Sequence, residues 1–99
     1  MPMVGGLGAA KPATPEIQEL CDSVKVQAEA KCGANFSTFE AVEYKTQVVA
    51  GTNYFVKVFI GGDKYAHVRI YQALPHAQQG PTVHSCQLDK SREEEIVHF

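Results

Sequence analysis

Two runs of alternating apolar and polar residues organise the chain. Val42, Tyr44, Thr46 and Val48 fall at every second position, and so do Tyr54, Val56, Val58 and Ile60. The stretch Gln47-Val48-Val49-Ala50-Gly51-Thr52-Asn53 joins them and contains a glycine. Period-two alternation on both sides of such a break predicts a hairpin with one face buried. After the turn Gly61-Gly62-Asp63-Lys64, the residues Ala66, Val68 and Ile70 alternate with Tyr65, His67, Arg69 and Tyr71 as far as Leu74. The run 74–81 holds two prolines and a glycine and cannot be a central strand, so it is a loop. Thr82 to Leu88 forms a last short strand.

Ahead of the strands the period changes. Ile17, Leu20, Cys21, Val24 and Ala28 recur at helical spacing, while Glu19, Asp22, Lys25 and Glu29 face elsewhere. Thr14 suits a cap, Pro15 the first helical position and Glu16 the positive end of the dipole. Gly33 follows Cys32 as a stop. One helix over 14–32 is expected, and no other. Residues 1–13 are rich in Gly, Ala and Pro and show no period, which predicts a flexible N-terminal arm. The acidic cluster Glu93-Glu94-Glu95 reads as a solvated face, with Ile96 and Phe99 packing the tail down. The expected fold is α+β: one domain, 1–99, with an arm (1–13), a helix (14–32) and an antiparallel sheet with its tail (36–99).

Composition narrows the function classes. With 99 residues, 44% hydrophobic and 20% charged, the chain can bury one modest core and is not disordered. A net charge of −2 leaves no basic footprint for nucleic acid. No apolar run reaches the ~20 residues of a membrane span. The first residues lack the charged start and apolar stretch of a secretory signal. Cys21 and Cys32, on one helix, stand about 16 Å apart, beyond the about 7 Å that a disulfide allows. Cys86 is distant in sequence, and an odd count leaves a free thiol. Reduced cysteines, no disulfide and a cytoplasmic location are therefore expected.

Few residues offer catalytic chemistry. Cys21 belongs to the apolar helix face, and Cys32 stands at a helix C-terminus, where the dipole opposes a thiolate. His84-x-Cys86 could offer two metal ligands, but two do not make a site, and no other pair has matching spacing. His67 reads as an outward strand position and His98 as tail. No enzyme, metal or cofactor is expected. The hairpin bend is more informative. It carries Val48, Val49 and Ala50 where turns usually carry Asn, Asp, Ser or Pro. Such a tip either folds back on its own core or leaves apolar surface in water as a contact site.

The wording of the bend carries a resemblance. Gln47-Val48-Val49-Ala50-Gly51 resembles the Gln-x-Val-x-Gly signature of the cystatin superfamily. Pro12-Ala13-Thr14-Pro15-Glu16-Ile17-Gln18 before it and Leu74-Pro75-His76 after it are similar to the stefins, the single-domain, disulfide-free type 1 branch. The likeness runs from the Gly-rich start to Phe99. It implies a fifth, short strand before the helix and a sheet wrapped around it. It also implies a wedge built from three segments: Met3, Val4 and Gly5; Gln47, Val48, Val49, Ala50 and Gly51; and Leu74, Pro75 and His76. Gly5 and Gly51 would let the backbone approach a partner closely. The implied partners are papain-like cysteine proteases, the cathepsins, inhibited reversibly by occlusion of the cleft. The resemblance implies a monomer that can exchange elements into a domain-swapped dimer. A protein-binding scaffold of the same fold, without inhibition, is the alternative, since fold alone does not settle function.

Overall fold

The helix expected over 14–32 divides in two. In the computed structural model, which describes residues 7–74 and 79–99, α1 spans Pro15–Ser23 and α2 spans Lys25–Cys32. The Thr14 side chain accepts from the Ile17 N–H at 3.2 Å, and Gly33 closes α2 in the left-handed region at φ 69°, so both predicted ends hold. The break falls at Val24. Ser23 Oγ donates to the Leu20 carbonyl at 2.7 Å, the acceptor that the Val24 N–H would use in a continuous helix. The Val24 N–H turns instead to the Cys21 carbonyl at 3.2 Å, a tighter bond that pinches the axis.

The sheet has five antiparallel strands in sequence order: β1 (Lys11–Pro12), β2 (Glu40–Val49), β3 (Gly51–Phe59), β4 (Tyr65–Gln72) and β5 (Thr82–Lys90). The short first strand pairs with β2, as the resemblance implied. Ile17, Cys21, Val24 and Ala28 pack against Val56, Val58, Val68, Ile70 and Val83 in one core. Burying each such aliphatic side chain contributes about 1.5–3 kcal/mol. Two glutamines dock the helices at opposite edges of the sheet. Gln18 Oε1 accepts from the Ala41 N–H at 2.8 Å, and Gln27 Oε1 from the Val83 N–H at 3.0 Å. The alternation in β2 breaks once. A bulge between Ala41 and Glu43 makes Ala41, rather than Val42, pack on the core, and frees the Val42 carbonyl to accept from the Ala13 N–H at 3.0 Å.

Cys32 and Cys86 form a disulfide, with Cα atoms 5.5 Å apart. This overturns the expectation of three reduced thiols, and with it the case for a cytoplasmic location that rested on them. The two lie 54 residues apart in sequence and meet because α2 packs along β5. The bonded Cys86 also has no thiolate to share with His84 for a metal. Cys21 is free and fully buried, and burial, with Asp22 alongside, pushes its thiol up to about 12. It is an unreactive core residue.

The face of the sheet turned away from the helices is covered as well. Residues 91–99 fold back over it. Ile96 is fully buried, and the Phe99 ring meets Phe55 edge-on at 5.5 Å. Lys45 Nζ donates to the Ile96 carbonyl at 2.7 Å and reaches Glu95 at 3.1 Å. Lys57 Nζ donates to the Arg92 carbonyl and pairs with Glu43 at 3.1 Å.

His67 is therefore not an outward position. It is 0% exposed, with neither ring nitrogen hydrogen-bonded. Burial first, and then Lys90 and Lys57, lower its pKa from the usual 6.5 to about 4. Unfolded chains take up this proton near pH ~6.5, and the fold only near 4. Between those values the unfolded state holds more protons, so stability is full above the window and falls as pH drops through it. The loss should reach roughly 3 kcal/mol at the acid end. Denaturant titrations at about pH 7 and about pH 4 should show it, and His67→Gln should flatten the difference. A parallel loss in parent and variant would assign the acid sensitivity to other groups.

Candidate functional site

The bend between β2 and β3 is tighter than the seven residues that frame it in the sequence. Gln47 pairs with Asn53, Val48 with Thr52 and Val49 with Gly51, so Ala50 alone forms the apex. Beneath it Asn53 Nδ2 donates to Gln47 Oε1 at 2.7 Å, with both residues buried. Gln47 thus supports the tip from inside and does not stand on its surface. The Tyr71 hydroxyl donates to the Ala50 carbonyl and ties the apex to β4.

Gly51 explains why the bend can be this tight. Its φ is +108°, a left-handed conformation that side-chain-bearing residues rarely adopt. A Cβ at that position would lie 2.6 Å from the Gln72 carbonyl oxygen and 2.8 Å from the Tyr71 hydroxyl. The close approach that requires glycine is thus to the chain's own β4. The sequence reading considered only an approach to a partner; the packing of the free protein adds this internal reason for glycine.

Above this support the apolar side chains are uncovered. Val48 is 73% exposed, Val49 42% and Leu74 42%. A tip folded back on its own core would hide them, so that reading is excluded. Leu74 follows two residues after Gln72, which pairs with Thr52, and this places it at the same end of the sheet as the apex. The arm leads the same way. Ala13 bonds to Val42, Lys11 pairs with Tyr44, and the Gly8 N–H donates to the Thr46 carbonyl at 3.0 Å. Read backwards from Ala13, the arm climbs β2 toward the tip. Met3, Val4, Gly5, Pro75 and His76 lie outside the described residues.

Val48, Val49, Ala50 and Leu74 are thus brought together at one end, while Gln47 and Gly51 form the frame below. No ionisable side chain stands among these six. Their surface offers shape and apolar contact, with no nucleophile and no proton carrier. Among the described residues no three His, Cys, Asp or Glu side chains gather as metal ligands. Two supports had no signal in the sequence reading. Tyr71 occupied one more alternating strand position, and Asn53 marked the end of a turn. Only the register of β3 against β2 and β4 reveals what they hold.

With this geometry in hand, comparison with known proteins is specific. The Cystatin domain model matches residues 5–93. The chain is 48% identical over 95 residues to human Cystatin-A, covering 96% of this chain and 97% of the relative. It is 45% identical over 97 residues to pig Leukocyte cysteine proteinase inhibitor 1, covering 98% and 94%. To mouse Cystatin-B it is 46% identical over 97 residues, covering 98% and 99%.

Proposed function

The chain belongs to the cystatin family and its stefin branch, and on that premise we propose that it is a reversible, tight-binding inhibitor of papain-like cysteine proteases, cathepsins among them. The observation that carries this reading is the bare apolar end formed by Val48, Val49 and Leu74 above a hydrogen-bonded base. A narrow apolar apex fits a cleft, and its rigid base lowers the entropy lost on docking. In this reading Met3, Val4 and Gly5 enter the unprimed subsites. Val48, Val49 and Ala50, with Leu74, Pro75 and His76, fill the primed side. No peptide bond is presented to the catalytic thiol, so the chain blocks substrate without being cut. Titrating papain with the purified protein tests this directly. Stoichiometric loss of activity that added substrate reverses is expected. Undiminished papain and cathepsin activity at micromolar protein would leave a scaffold role instead.

The tip is also a hinge for chain exchange. Val48 and Val49 are β-branched and favour extended backbone, which eases the opening of the bend at Ala50 into one long strand. Two chains could then trade everything before the hinge and restore the same contacts. Cys32 and Cys86 stand on opposite sides of that hinge, so their disulfide opposes the exchange. Mild heating with a reductant should therefore yield dimer, and heating without it should leave monomer. The dimer should not inhibit papain, because its apex has been straightened. Size-exclusion fractions assayed one by one check both points. A dimer that inhibits mole for mole would place the hinge elsewhere, and equal dimer without reductant would deny the disulfide its restraining part.

A further inference from the structure

Beside the tip lies an open hollow that shares Val49 with the wedge and otherwise lies outside it. Its walls include Lys31 from the end of α2, Arg69 from β4, and Thr82 and His84 from β5, together with Val49 and Tyr71. Among the described residues that line it there is no carboxylate side chain. In a chain of net charge −2, three basic side chains from three separate elements line one space.

The donors are only partly spent. Arg69 gives Nη1 to the Phe99 backbone oxygen and lays its guanidinium over the Phe55 ring at 5.2 Å. Its Nε is buried with no hydrogen-bond partner in the fold, a cost that a shift of the guanidinium toward the hollow would relieve. Lys31 and His84 are exposed; His84 Nδ1 lies 3.1 Å from Ser85 Oγ, which leaves its Nε2 for a ligand. Thr82 adds a hydroxyl that can donate. Partial desolvation, and then Arg69, Lys31 and His98 nearby, hold the His84 imidazole below its usual pKa. A bound anion would reverse that push.

The geometry points to a binding site for a doubly charged tetrahedral oxyanion, a phosphoryl or sulfuryl group, held by Lys31, Arg69, Thr82 and His84. A planar carboxylate is best met by a whole guanidinium fork. Here half of that fork is already engaged, and the remaining donors arrive from several sides. A tetrahedral group presents oxygens in those separate directions. The site is open to water, so a dissociation constant on the order of 1 mM is expected, and it does not depend on protease inhibition.

The test follows the Arg69 Nε–H and the 82–84 amide resonances while the intact protein is titrated with sulfate at constant ionic strength. Saturable shifts confined to these signals are expected. Sulfate keeps both charges throughout, so the protein's own imidazoles should tighten binding, by about threefold from about pH 8 to about pH 5.5, and His84→Gln should remove most of that gain. Lys31, Arg69 and His98 are the other charged or titratable groups around His84. The double variant Lys31→Gln/His84→Gln should weaken binding about tenfold or more, while Lys64→Gln, in the exposed 61–64 turn, should not. Inorganic phosphate and O-phosphoserine, compared at about pH 8, distinguish a free ion from a group borne on a larger ligand, and tighter binding of either supports the site. Non-saturating shifts with all three probes, or saturable shifts that survive in the double variant, would overturn the assignment.

Discussion

Replacing Val49 with aspartate is expected to weaken protease inhibition by at least about 100-fold while the fold survives. The valine is partly exposed in the free protein, so the proposed contact removes its remaining surface from water. Losing one buried aliphatic side chain costs about 1.5–3 kcal/mol, and a carboxylate stranded in a desolvated cleft adds to that. In the free protein the aspartate stays hydrated. It loses only the strand preference of valine, about 1 kcal/mol at most. Val26→Asp is the matching control, because Val26 is 79% exposed on α2 and takes no part in the wedge. Inhibition constants and melting curves of both variants are the measurements. If folded Val49→Asp inhibited papain as the parent does, the hairpin tip would not be the contact.

Gly51→Ala is expected to act through the opposite route, by damaging the fold that supports the tip. The new Cβ meets a backbone oxygen at 2.6 Å and a hydroxyl at 2.8 Å, at a φ of +108° that alanine rarely takes. Strain and overpacking together should cost roughly 2–4 kcal/mol. For a domain of this size that is a fall in Tm on the order of 10–20 °C. Tyr71 must move, and with it the bond that fixes the Ala50 carbonyl, so inhibition should fall alongside stability. Gly62→Ala separates the two causes. Gly62 has a positive φ of +59° with nothing within 4 Å of an added Cβ, so only the backbone penalty of about 1–2 kcal/mol remains. Equal melting temperatures for the two variants would mean that the tip is not seated on β4.

These two residues mark how the site divides. The exposed part, Val48 and Val49, was legible in the sequence because valines in a bend are anomalous by composition alone. The supporting part was not. The contact of Gly51 with β4 went unread, and so did the role of Tyr71, because a hydroxyl that reaches across a strand leaves no local trace. Gln47 entered the candidate list through the motif, yet its amide accepts from Asn53 inside the hairpin. A motif records which positions matter together and is silent on which of them face outward.

The sequence by itself determined what depends on near neighbours along the chain. Period-two alternation placed β3 and β4, because a side chain's face in a strand depends only on its parity. Thr14, Pro15 and Gly33 placed the helix ends, because capping is settled within a few residues. Tertiary structure decided whatever depends on which elements meet. Cys32 and Cys86 bond because α2 lies along β5, and no spacing rule encodes a contact across 54 residues. His67 has the parity of an outward residue and became a buried one when residues 91–99 covered the second face of the sheet. Parity says which face a residue is on. Whether water reaches that face is decided by what else in the chain comes to lie over it.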